Sequence, residues 1–153
     1  MIFSSDGNTL VLSEKENVWK AWDVKTQREL PTPLWLAGEV TTVGFGPPRA
    51  SLAVSKQGTI RLWDDAAQTK ERIELRPPSR AWYLVFAKDG RTLLSWCEDR
   101  TIVQWQVATG TQLHSFPLPA RPTALAVARD HRHVIVANPN GTIYIYRLPP
   151  PPA

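Results

Sequence analysis

Three groups of side chains in this 153-residue chain are of types that do chemistry. His131 and His133, beside Asp130, form a His-x-His pair that could set two metal ligands on one side of a strand. Glu14, Glu16, Glu98 and Asp99 could be taken for paired carboxylates doing general acid and base work. His114 stands beside Ser115, a base next to a hydroxyl. None of these groups converges. No third ligand is expected near the histidine pair, the carboxylates fall on hairpin turns of two separate units, and His114 has no cysteine or paired carboxylate beside it. Solvated surface is the better reading of each, so no catalytic residue, metal or cofactor is assigned and the chain reads as a non-enzyme.

The elements that carry these residues follow from composition and then from periodicity. The chain is 42% hydrophobic and 21% charged, as in an ordinary globular domain. Its 14 prolines and 8 glycines are so spread that no window of helical length escapes them while showing a 3.6-residue apolar period, which favours an all-β chain. The net charge of +4 comes from dispersed residues and does not argue for nucleic acid. Cys97 is the only cysteine, which rules out an intrachain disulfide. It reads as a buried small apolar residue in a reducing, cytoplasmic setting. Met1-Ile2-Phe3 runs straight into Ser4-Ser5-Asp6-Gly7, without the pattern of a signal peptide, and no apolar run approaches membrane-spanning length.

A repeat organises the whole chain. Segments beginning at Asn17, Gly58, Arg100 and Gly141 align with aromatic positions at Trp22, Trp63, Trp105 and Tyr146, spaced 41, 42 and 41 residues apart. A second column, Phe3, Phe45, Phe86 and Val127, has spacings of 42, 41 and 41, with a turn just after each member. Between these columns lie short β-rich runs such as Val40 to Phe45, Leu52 to Ser55, Thr59 to Trp63 and Arg72 to Leu75. Four strands in about 41 residues make a propeller blade. Alternation along Thr59 to Trp63 puts Ile60 and Leu62 on one side and Arg61 and Trp63 on the other, as a sheet sandwiched between neighbours requires. Gly7, Gly58, Gly90, Gly110 and Gly141 recur with the blade and mark turns needing positive φ.

These columns, with Trp22-Asp23 and Trp63-Asp64 as the signature pair, resemble the WD-repeat (WD40) family over nearly the entire chain. The resemblance implies an all-β partial propeller of about three and a half to four four-stranded antiparallel blades. It also implies a buried Asp-His-Ser-Trp hydrogen-bond network, from which the chain departs. The Gly-His pair appears as Gly38-Glu39, Ser79-Arg80 and Ala120-Arg121. The acid is kept as Asp99 but matches Glu16, Gln57 and Asn140 elsewhere, and the serine is expected to survive only as Ser55. Packing must then carry more of the stability.

The repeats run at about 1–37, 38–78, 79–119 and 120–148, followed by a proline-rich tail over 149–153. The tail reads as a stop after the last strand, in exposed polyproline II form. The first copy starts inside a strand, which reads as a truncation, and the last ends after its third strand. Closure is expected from the remaining blades of a parent chain, the favoured source, or from a second copy.

Among the tryptophans, those on the repeat column are expected in the core. Trp82 differs. It matches Thr41 and Thr123 at the start of the first strand, a position that in WD-repeat rings looks onto the top face near the central channel, so it reads as an exposed contact anchor. Lys15, Lys56 and Glu98 precede the corners of their hairpins and resemble the family's other top-face contact sites, with Arg80 and Arg121 in the connecting loops. The leading functional reading is a non-catalytic protein-interaction scaffold, the C-terminal part of a larger propeller, binding a protein partner through Trp82, Thr41, Thr123, Lys15, Lys56, Arg80 and Arg121. The alternative is a sensing or substrate-presenting propeller of a larger enzyme such as a kinase or protease. A third reading, an anionic partner such as RNA, would show as binding that weakens steeply with salt.

Overall fold

The structure is a computed structural model that describes residues 1–15, 18–47, 52–63, 71–128 and 132–149. Glu16, Asn17, Asp64, Asp130, His131 and the tail residues 150–153, all given roles above, lie outside the described residues. So does the side chain of Lys15.

The described strands follow the repeat. The first sheet contains β1 (Ile2–Phe3), β2 (Thr9–Lys15), β3 (Val18–Asp23) and β4 (Arg28–Glu29). The second contains β5 (Val40–Phe45), β6 (Leu52–Lys56), β7 (Thr59–Trp63) and β8 (Glu71–Leu75). The third contains β9 (Ala81–Phe86), β10 (Thr92–Cys97), β11 (Thr101–Gln106) and β12 (Gln112–Pro117). The last has β13 (Ala124–Val127), β14 (His133–Ala137) and β15 (Ile143–Arg147). Each sheet is an antiparallel meander in sequence order, the blade of a partial β-propeller. The one helical element among the described residues is a single 3-10 turn, Leu34–Leu36. No described helix is long and apolar enough to cross a membrane.

The two sequence columns meet on one cross-strand rung in every blade. Phe3 pairs with Leu10 and Leu10 with Trp22. The same rung reads Phe45, Leu52, Trp63 in the second blade. In the third it reads Phe86, Leu93, Trp105, and in the fourth Val127, Val134, Tyr146. Side chains on one rung share a face of the sheet, so the 41-residue repeat in sequence is a repeated apolar stripe in space.

Each internal rung packs against the opposite face of the preceding blade. The rung of the second blade joins Val11, Ala21, Trp35 and Leu36. That of the third joins Ala53, Ile60, Leu62 and Leu75, and that of the fourth joins Leu94, Ile102 and Leu118. The core is therefore three separate interfaces between sheets. Neighbours in sequence enter different ones: Leu93 and Val103 face the second blade, Leu94 and Ile102 the fourth. Burying one such Leu or Ile is worth roughly 1.5–3 kcal/mol, so every blade gains on both faces only while both are covered.

Close approach of the innermost strands is made possible by Gly44. A Cβ there would stand 3.0 Å from both the Cβ and the carbonyl oxygen of Leu84 on β9. The five recurring glycines all have positive φ, as expected. At the tip of β6–β7 Gln57 (φ 48°) and Gly58 (φ 80°) are both left-handed, the two-residue turn whose twist matches the flanking strands.

The outermost faces lack this cover within the chain. On the last blade Ala126, Ile135 and Ile145 lie on one rung, with Ile143 beside them, and Ile143 and Ile145 are 65% and 67% exposed. Their counterparts in the second blade, Ile60 and Leu62, are fully buried. At the other end Phe3 is 50% exposed, where Phe86 is 6%.

Two outcomes follow. Gly44→Val should cost about 1–3 kcal/mol or more, read as a lowered denaturant midpoint, because a branched side chain must displace the Leu84 backbone. Light scattering over a concentration series should show the chain associating, and Ile145→Lys should reduce that association; a cooperatively melting monomer at every concentration would contradict it.

Candidate functional site

Connecting loops and the β2–β3-type hairpins meet at one end of the blades. Here the first strand of the second and third blades carries an irregularity. Val40 pairs with Lys56 and Thr42 with Ser55, leaving Thr41 as an extra residue. In the same way Ala81 pairs with Cys97 and Tyr83 with Trp96, leaving Trp82. Bulges of this kind re-aim a side chain and occur next to functional sites. The sequence match of Thr41 with Trp82 is thus a structural equivalence. The fourth blade differs: β13 begins at Ala124, and Thr123 lies before it, its N–H and Oγ both donating to the Ala137 carbonyl (2.8 and 3.2 Å).

Trp82 is half-buried rather than exposed. The Arg80 guanidinium carbon stands 5.7 Å from its ring centroid, and that of Arg121 5.5 Å. Both distances suit cation–π attraction. The indole thus gathers two cations from loops 41 residues apart in sequence. Each loop is anchored. The Arg80 carbonyl accepts from Glu98 N–H (2.9 Å), and Ser79 Oγ accepts from Asp99 N–H (2.9 Å). Arg121 precedes the buried Pro122, which restricts its backbone to extended conformations. Trp82 Nε1 is buried and has no hydrogen-bond acceptor.

The other residues expected to join this group are placed differently. Thr41 is half-buried on the neighbouring innermost strand. Lys56 turns back onto the connection that leads into its blade, its ammonium donating to the Ala37 carbonyl. Glu98 is exposed and contributes its backbone to hold Arg80.

His133 starts β14, and His114 is exposed on the outer strand β12. Among the described residues no group of three or more His, Cys, Asp or Glu could hold a metal ion. Cys97 is fully buried in the core between the second and third blades, and burial pushes its thiol above the usual range. Asp23 caps its turn, accepting from the Thr26 N–H and Oγ (2.6 and 2.8 Å), which holds its carboxyl below the usual range.

One expectation is overturned. The serine–tryptophan pair was assigned to Ser55, but Ser55 Oγ and Trp63 Nε1 are both buried with no hydrogen-bond partner. The bond forms in the third blade instead, where Trp105 Nε1 donates to Ser95 Oγ at 2.9 Å. The reason is the face each serine takes: Ser95 follows the rung residue Leu93 by two and shares the face of Trp105, whereas Ser55 follows Leu52 by three and lies on the face opposite Trp63. Trp22, expected in the core, is half-buried on the uncovered face of the first blade.

The fold and site define a partial propeller with a tryptophan that has two arginines within 6 Å of its ring centroid. No family model matches the chain. It is similar to TBC1 domain family member 31 of Xenopus tropicalis, 24% identical over 123 residues, covering 74% of this chain and 11% of that protein. It is also similar to Autophagy-related protein 18 of Meyerozyma guilliermondii, 31% identical over 103 residues, covering 64% of this chain and 18% of that protein. The chain thus spans a small part of either relative's length.

Ser95→Ala should cost about 1–3 kcal/mol of unfolding free energy, because it strands the buried Trp105 donor. Ser55→Ala, which removes a hydroxyl that has no partner, should be neutral within about 0.5 kcal/mol or stabilising. Equal losses for the two, in paired denaturant titrations, would contradict the assignment.

Proposed function

We infer that this chain is a run of WD-repeat blades, divided at about 1–37, 38–78, 79–119 and 120–148, acting as a non-catalytic scaffold that binds a protein partner at the end bearing Trp82. The observation that carries the reading is the stack of Arg80, Trp82 and Arg121 on a bulged strand. Trp and Arg are the residues most often found at the energetic centre of protein interfaces. The WD-repeat assignment draws support from the paired columns, which fall on one rung of every blade. Thr41, Thr123, Lys56 and Lys15 belong to the surrounding surface in this reading. The rest of the ring is supplied by other blades, of a longer chain or a second copy, which would cover Phe3 at one end and Ile143 and Ile145 at the other.

The test places a photo-cross-linking residue at Thr123 and captures the partner with and without Trp82→Ala. Truncation of an interface anchor should cost about 2 kcal/mol or more of affinity, some thirtyfold. The cross-linked adduct should fall accordingly while circular dichroism stays unchanged. An adduct of equal yield in the variant would sink the proposal, and a large fall in melting temperature would reassign Trp82 to the core.

A further inference from the structure

We propose that the Arg80–Trp82–Arg121 stack is a carboxylate-binding site and that the partner presents an acidic peptide segment to it. This rests on the protein-interaction reading and names its chemistry.

The cluster consists only of donors. Each guanidinium carries five N–H groups and no acceptor. Among the described residues neither Arg80 nor Arg121 forms an ion pair or a side-chain hydrogen bond, and Trp82 Nε1 has no acceptor. The contrast with other arginines is direct. Arg61 is paired with Glu71 and Glu74, and Arg76 with Glu74. Of the acids on the adjoining β10–β11 hairpin, Asp99 accepts from the Thr101 N–H and Oγ at 3.1 and 2.7 Å, and among the described residues neither Asp99 nor Glu98 forms an ion pair.

Two like charges drawn to one ring repel each other. An anion lying against the same group would relieve it. The ring also stiffens both side chains, so less rotamer freedom is lost when a ligand binds. The fork of N–H donors on each guanidinium is not engaged by any side chain among the described residues and matches the two oxygens of a carboxylate. The group is compact, two cations about one indole, and the remaining charge of the chain is dispersed. That suits one or two acidic side chains of a peptide better than the extended phosphate track of a nucleic acid, which needs a continuous basic stripe.

The probe is fluorescein-labelled hexaglutamate, read by fluorescence anisotropy against hexaglutamine on the full chain. Hexaglutamate should bind about tenfold or more tighter than hexaglutamine, since hydrogen bonds to charged groups exceed neutral ones by such a factor. Arg80→Gln and Arg121→Gln should each remove most of that preference, whereas Arg28→Gln, on an exposed outer strand, should not. Arg80→Lys should not restore it, because an ammonium keeps the charge but neither stacks nor forks. Circular dichroism and melting curves of each variant separate lost binding from lost folding.

Equal affinity for the two peptides, or equal losses in the Arg28 variant, would overturn the proposal. So would tighter, Arg80- and Arg121-dependent binding of oligothymidylate or of phosphatidylserine vesicles, which would assign the site to phosphate. If hexaglutamate fails while the Thr123 cross-link still depends on Trp82, the acidic chemistry falls and the interaction face stands. If the cross-link is independent of Trp82 while hexaglutamate still needs both arginines, the interaction reading falls alone.

Discussion

The rung that joins the first, second and third strands of each blade is the contact on which the structure depends. An apolar stripe of Phe, Leu and Trp on one face of a sheet has no partner within its own blade, because strands in one sheet lie side by side. It can be buried only by the next sheet, and the reverse face of that sheet must in turn offer an apolar surface. Ile60 and Leu62 meet this demand for the rung of Phe86, Leu93 and Trp105. Ile102 and Leu94 meet it for Val127, Val134 and Tyr146. The array consequently has a direction, with aromatic rungs always facing back toward the preceding blade and aliphatic residues facing forward.

That arrangement explains why the polar network can be reduced so far. The Ser95–Trp105 bond is the only indole-to-serine hydrogen bond among the described residues, and four other indole donors, Trp22, Trp63, Trp82 and Trp96, are buried without acceptors. Each unmade bond costs about 1–3 kcal/mol. The large apolar area of an indole offsets much of this where the ring lies between two sheets, as Trp63 does, since aromatic rings of this size bury some 150–250 Å². Trp82 has no such compensation: it is half-buried at the edge of the blade end, with two cations against it.

Strand positions were legible in the sequence because period-2 alternation and turn residues recur at the blade spacing, and the strands Val40–Phe45 and Thr59–Trp63 stand where the pattern placed them. The glycine turns were legible for the same reason. Register was not. Whether a serine reaches an indole depends on which face of the sheet it takes, which only the cross-strand register settles: Ser95 shares the face of Trp105, while Ser55 lies on the face opposite Trp63. The bulge at Trp82 was hidden too, since an extra residue in one strand shows only against its partner strand. Trp82, Arg80 and Arg121 could each be singled out from type and place, but their mutual stacking needs two blades to be adjacent, and nothing local in either loop encodes it.

The separation of these tasks has a physical basis. Interiors of the sheets are constrained on both faces, so a change at Leu93 or Ile102 disturbs a packed interface. Loop residues at the blade end are constrained mainly through their backbones, as where the Arg80 carbonyl and Ser79 hydroxyl accept from the β10–β11 hairpin. The backbone is held while the side chain remains free to be chosen. A bulge extends that freedom by one residue into the strand itself, because the extra residue is released from the strict alternation that commits its neighbours to one interface or the other. Thr41 and Trp82 occupy the same released position in adjacent blades, a small residue in one and the largest available in the other. The scaffold tolerates both, so the identity of the residue there is open to selection by what binds rather than by what folds.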